Sequence, residues 1–143
     1  LLSIDIDGND YWVWKAISTI DPSIVVIEYN SILGKDKNYV VPYEENFTRK
    51  KAHYSNLYYG SSLPALTKLA NEKGYALTAC NSAGNNAFFV KRNLLNEKVK
   101  EVNCRDAFKE RKFRESRDKN NKLTFLNNKE QKELISHLSL EEV

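Results

Sequence analysis

Leu1-Leu2-Ser3-Ile4-Asp5-Ile6-Asp7-Gly8-Asn9-Asp10 is a short apolar strand that runs abruptly into acid. Leu1, Leu2, Ile4 and Ile6 form a near-continuous apolar run, the pattern of a strand covered on both faces. Asp5 and Asp7 stand two apart, which puts both side chains on one side of an extended chain. Gly8 and Asn9 suit a tight turn, and Asp10 suits the cap of a following helix. Carboxylates at the carboxyl end of a buried strand are where open α/β sheets assemble their sites.

Working outward, Tyr11 to Ile17 reads as a short helix with Val13, Trp14 and Ile17 on its apolar face, stopping before Pro22. Trp12 and Trp14 read as packing, or as the wall of a ligand pocket. Ser23-Ile24-Val25-Val26-Ile27-Glu28-Tyr29-Asn30 is the clearest strand, β-branched throughout its middle and polar at its end. A strand–helix–strand unit makes its two strands parallel. Asp5, Asp7, Glu28 and Asn30 should therefore gather at one sheet edge. Asp5 and Asp7 are the candidate catalytic residues. Glu28, Tyr29, Asn30 and Tyr59 are the candidate substrate-binding residues.

Residues 31–60 read as irregular, with a basic run Arg49-Lys50-Lys51 and five tyrosines, either a lid over the acidic edge or an insertion packed by its own aromatics. Ser62 to Gly74 carries both helix signals, a serine cap with Pro64 in the first turn and a glycine stop. Tyr75 to Cys80 reads as a strand, and Ala87 to Val90 as its antiparallel return. From Asn93 the composition shifts to Lys, Arg and Glu. Arg111, Lys112, Arg114 and Arg117, interleaved with acids and with Phe108 and Phe113 scattered among them, read as a solvated helical face. Leu123 to Leu126 reads as a short strand or arm. Asn128 to Leu138 reads as a helix with Leu134, Ile135 and Leu138 on one side. The expected organisation is an α/β domain over residues 1–95 and a charged, mainly helical extension over 96–143.

The 143 residues are 41% hydrophobic and 29% charged, an ordinary globular balance. A net charge of +3 is too mild for a nucleic-acid partner. No apolar run reaches the roughly 18 residues of a membrane helix. Two cysteines, Cys80 and Cys104, make no CxxC and read as thiols in a reducing, cytoplasmic setting. His53 and His137 have no nucleophile or ligand spacing around them, so neither is expected to be catalytic. The chain contains no methionine and opens inside a strand, which reads as a fragment whose N-terminal part is not included. The strand edge at Leu1 should then invite a homodimer.

The order of strand, helix, strand, long loop, helix, strand, turn and antiparallel strand resembles the second half of the class I S-adenosylmethionine-dependent methyltransferase fold. Its last antiparallel hairpin, here Tyr75 to Val90, separates that fold from other doubly wound sheets. Ser3 to Asp10 resembles the fourth-strand motif of the FkbM-like methyltransferases, and Asn85 to Val90 is similar to their last strand. The resemblance covers roughly residues 1 to 95. It implies a partial Rossmann-like methyltransferase sheet and methyl transfer to a small-molecule or sugar hydroxyl, or a catalytically inactive interaction module on the same fold. Related metal-dependent O-methyltransferases use Asp-x-Asp at this strand end and an Asp-Asn pair at the next. The matching positions are Asp5 with Asp7 and Glu28 with Asn30, one residue further apart. The resemblance so implies Mg²⁺ held by Asp5, Glu28 and Asn30, with S-adenosylmethionine as cofactor. Without a metal, Asp5 or Asp7 would act as general base. The family's glycine-rich cofactor loop has no counterpart among Gly8, Gly34, Gly60, Gly74 and Gly84. Asp5-Ile6-Asp7-Gly8 is also similar to the nucleophile motif of haloacid dehalogenase phosphohydrolases, which wants Thr or Val near position 9, where this chain has Asn9.

Overall fold

The computed structural model describes residues 1–112 and 115–143. The chain runs β1 (Leu2–Ile4), α1 (Asp10–Ala16), β2 (Ile24–Glu28), β3 (Tyr39–Val40), α2 (Arg49–Ala52) and α3 (Leu63–Glu72). It continues through β4 (Tyr75–Cys80), β5 (Asn86–Lys91), α4 (Cys104–Ala107), β6 (Ser116–Arg117), β7 (Leu123–Thr124), α5 (Asn128–Ile135) and β8 (Glu141–Glu142). Phe113 and Arg114 of the charged C-terminal stretch lie outside the described residues.

The main sheet has the order β1-β2-β5-β4. β1 and β2 pair in parallel with Ile4 opposite Ile27, as the crossover through α1 requires. β5 runs antiparallel to both of its neighbours, so the sheet is mixed. One face of the sheet carries the core. Ile4, Val25, Ile27, Tyr75, Leu77, Ala87 and Phe89 form one buried cluster with Tyr11 and Trp14 of α1 and with Leu63, Leu66, Leu69 and Ala70 of α3. Trp14 lies between Tyr75 and Phe89, at ring-centroid distances of 6.0 and 5.2 Å. The buried stripe of α1 is therefore Tyr11 and Trp14, with Ile17 half-buried; Val13, expected on that stripe, is partly exposed. Trp12 packs beside it and donates its indole N–H to the Val41 carbonyl at 2.9 Å.

The opposite face of β1 is open, which corrects the expectation of a strand covered on both sides. Ile4 is buried, whereas Ser3 and Asp5 are exposed and Leu1 is 83% exposed. α1 and α3 both pack into the cluster on the Ile4 side and leave the other side of this edge strand to solvent.

Residues 31–60 are less irregular than their composition predicts. They hold a 3-10 turn at Ser31–Leu33 as well as β3 and α2, and they fold back over the start of the chain. Gly60 N–H donates to the Gly8 carbonyl at 3.1 Å, and Asn9 donates to the Glu44 carbonyl at 2.8 Å. The space a side chain on Gly8 would need is filled by the Phe47 ring.

Residues 96–143 are not mainly helical among the described residues. Only α4 and α5 are α-helices there. The reason is local: Asn96 and Asp118 accept backbone N–H groups two or more residues ahead, offering the chain turns in place of helix. Asn127 does the same as part of a capping box and so starts α5. This stretch also does not stand apart. Val102, Cys104, Ala107, Phe108 and Val143 pack on the main core. β8 pairs with β3, and Ile135 joins Ile32, Leu33 and Leu57 in a second buried cluster. Among the described residues no helix is long and apolar enough to cross a membrane.

Candidate functional site

Register delivers the first two acids. The parallel pairing that sets Ile4 beside Ile27 carries Asp5 beside Glu28 on the same face, one residue further on. Asp7 returns to them through a turn. Its own backbone is left-handed, with φ 57°. The turn is held by Asp10, whose carboxylate accepts the N–H groups of Ile6 and Gly8, each at 2.9 Å. Asp10 was expected to cap α1; it is the first residue of that helix and ties the preceding turn instead. Burial raises its pKa, against the two backbone N–H groups that favour its charge.

One oxygen from each of Asp5, Asp7 and Glu28 lies within 4.8 Å of the other two. Asp5 and Asp7 are exposed and Glu28 is buried. A Mg²⁺ ion with oxygens at about 2.1 Å spans about 4.2 Å between opposite ligands, and Ca²⁺ spans up to about 5.2 Å. The donor set therefore fits a hard divalent cation with little movement.

Around this triad stand groups from far along the chain. The Tyr59 hydroxyl donates to Glu28 Oε1 at 3.3 Å. Arg49 pairs with Asp7, and its guanidinium carbon lies 5.0 Å from the centre of the Tyr59 ring. Arg111 lies 5.8 Å from the same ring and is buried. Burial works against its charge, Glu28 supports it and Arg49 opposes it. Its Nη1 has no hydrogen-bond partner among the described residues.

The predicted residues divide accordingly. Asp5, Asp7, Glu28 and Tyr59 come together. Asn30 is fully buried, with both ends of its amide engaged. Its Nδ2 donates to the carbonyls of Leu57 (2.9 Å) and Tyr59 (3.0 Å), and its Oδ1 accepts from Ile32 N–H and Arg111. It shapes the segment that presents Tyr59. Tyr29 lies on the core side with Ile27; its hydroxyl donates to the Lys109 carbonyl at 2.8 Å and its ring packs near Phe108. Burial, above all, pushes its pKa upward. His53 and His137 face each other at 6.0 Å between ring centroids, apart from the acidic triad.

Arg49 and Arg111 are the members that sequence reasoning missed. Arg49 belongs to a run that reads as a solvated loop, and Arg111 to a stretch that reads as a solvated helix. The only signal for either was the abundance of basic residues, which does not say which cation turns inward. No family model matches the chain, and neither a curated protein nor a solved structure matches it.

Proposed function

We propose that the chain is the acceptor-side half of an S-adenosylmethionine-dependent methyltransferase-like protein, acting on a hydroxyl of a small molecule or sugar. The observation that carries the reading is the convergence of Asp5, Asp7 and Glu28 at the carboxyl ends of two parallel strands. The antiparallel β5, inserted between β2 and β4, supports it, because that hairpin is what sets this fold apart.

In this reading Asp5, Asp7 and Glu28 would hold a Mg²⁺ ion, whose charge would favour the ionised acceptor hydroxyl. Without a metal, Asp5, the exposed carboxylate with no ion pair among the described residues, would be the general base for the acceptor's proton. Tyr59 positions Glu28, and Arg49 holds Asp7 and borders the site. S-adenosylmethionine, when bound, supplies an electrophilic methyl group. No glycine-rich turn for it occurs in these 143 residues. The proposal expects one in residues preceding Leu1.

Manganese tests the triad directly. Mn²⁺ added to the ¹⁵N-labelled chain should broaden the amide signals of Asp5, Asp7 and Glu28, and the double variant Asp5→Asn, Glu28→Gln should abolish the effect. Sharp signals at those residues under saturating Mn²⁺ would remove the metal from the proposal. Calorimetry of the chain alone should give no micromolar affinity for S-adenosylmethionine. A protein extended upstream of Leu1 should transfer label from methyl-labelled S-adenosylmethionine to a hydroxyl acceptor, and Asp5→Asn should stop it. An extended protein that carries the glycine-rich turn and transfers nothing would sink the enzymatic reading. The second reading, an inactive interaction module, is favoured by one feature: Arg49 already neutralises Asp7. It expects intact metal-free folding and no transfer.

A further inference from the structure

Two contiguous cavities, of about 510 and 560 Å³, open between the 3-10 turn Ser31–Leu33 and α5. They share Ile32, Gly34, Asp36 and Lys132, so they form one cleft with two lobes; Asp5, Asp7 and Glu28 line neither. One lobe is the more apolar, with Leu33, Tyr39, Tyr58, Ile135, Leu138 and Leu140 in its wall beside Lys37 and Ser136. The other is cationic, bordered by Lys35, Lys109, Lys129 and Lys132. The same lobe also holds two acids, Asp36 and Glu110, against these four lysines. Asp36 pairs with Arg105 at 2.9 Å, and Glu110 accepts from Asn128 at 2.6 Å. Among the described residues no ion pair joins any of these lysines to a carboxylate. The Lys132 ammonium stands at the joint of the lobes, 3.9 Å from where a β-carbon on Gly34 would lie.

We propose that this cleft binds a small amphipathic anion: an oxyanion head, carboxylate or phosphate, on a short apolar body. Each lobe lies within the range of small-molecule sites, about 300 to 1,000 Å³. A ligand of this class satisfies both lobes at once. Its body displaces water from the aliphatic and tyrosine walls, and its head brings a charge to lysines that outnumber the lobe's two acids and form no ion pair among the described residues. A concave lobe between two elements admits a single chain rather than the plane of a bilayer. The inference does not rest on the reading of the acidic triad.

Calorimetry on the 143-residue chain tests it with dodecanoate, dodecyl phosphate and, as the charge control, dodecyltrimethylammonium, each below its micellar concentration. Both anions should bind and the cation should not. The double variant Lys129→Ala, Lys132→Ala changes two exposed side chains, so its thermal midpoint should stay unchanged while anion affinity falls at least about tenfold. A second variant, Leu138→Ser, should weaken both anions alike. No heat with either anion, equal binding of the cationic amphiphile, or unchanged affinity in the lysine variant would overturn the proposal. So would co-sedimentation with phosphatidylglycerol vesicles by a chain that ignores the soluble anions.

Discussion

Asn30 illustrates how a residue that looks like a ligand is instead a fastener. Its buried amide joins the end of β2 to the carbonyls of Leu57 and Tyr59 and to Arg111. Asn30→Ala would leave those carbonyls buried without donors. At about 1 to 3 kcal/mol for each orphaned group, partly offset by relaxation, the loss should be about 2 to 4 kcal/mol. Urea unfolding of the variant checks this, and a change below about 0.5 kcal/mol would show that Tyr59 is held by other means. Asn30→Asp is the sharper companion, since it keeps the shape but removes the donors. Cys80 gives a second outcome at this scale. Burial, foremost, pushes its thiol up to about 12, and burial raises Cys104 as well. Thiolate is the reactive form, so neither cysteine should be alkylated appreciably by iodoacetamide at neutral pH in the folded protein. Rapid modification of Cys80 without urea would mean that the core opens there.

Elements are joined in this chain by backbone approaches that composition does not reveal. Gly84, in the turn between β4 and β5, has φ 79°, and a β-carbon there would meet the Glu110 carbonyl at 2.4 Å. Lys112 N–H donates to Ala83 at 3.0 Å across the same junction. Gly84→Ala should therefore separate the Lys109–Lys112 strap from the hairpin. Hydrogen exchange should quicken at Lys112 more than at Phe89 in β5, and uniform quickening would argue against a local contact. The end of α2 meets the end of α5 where His53 faces His137. Burial and the neighbouring imidazole hold His53 below its ordinary value of 6.5. The unfolded chain thus binds this proton more readily than the folded one. Stability should be undiminished by this group above about pH 6.5, fall as the pH drops through that value, and level off below the folded pKa. His53→Gln should flatten the urea midpoint profile between about pH 5 and 7. Asp10, raised by burial, acts in the opposite sense: its protonation favours the fold as the pH falls towards the ordinary carboxylate value of 3.8, so the two effects differ in sign.

At the scale of the molecule, what could be read from the chain was what is encoded locally. The β-branched run Ile24 to Ile27 and the caps at Ser62 and Gly74 each specify an element from neighbouring residues alone. Parallel pairing then followed from a single crossover, and with it the meeting of Asp5 and Glu28. Arg49, Arg111 and the inward turn of Asn30 were illegible, because their partners lie tens of residues away and any of several cations suits the same acids. The fold-back of residues 96–143 was hidden for the same reason: a charged sequence carries few apolar anchors, and its Asn-driven turns do not announce where they dock. One consequence concerns the edge that the same local reading exposed. Among the described residues β1 pairs only with β2, and beside its other side Leu1 and Ile6 stand 83% and 55% exposed. An open edge with apolar ends recruits another strand, and a second copy is always at hand. Sedimentation velocity should therefore show association that grows with concentration. Ile6→Lys puts a charge at that edge without touching a buried side chain, so it should restore the monomer at the same concentration while leaving the monomer's unfolding free energy in urea within about 0.5 kcal/mol of the parent's. If association survives that substitution unchanged, the copies meet through another surface, and the open edge of β1 is shielded by its short length alone.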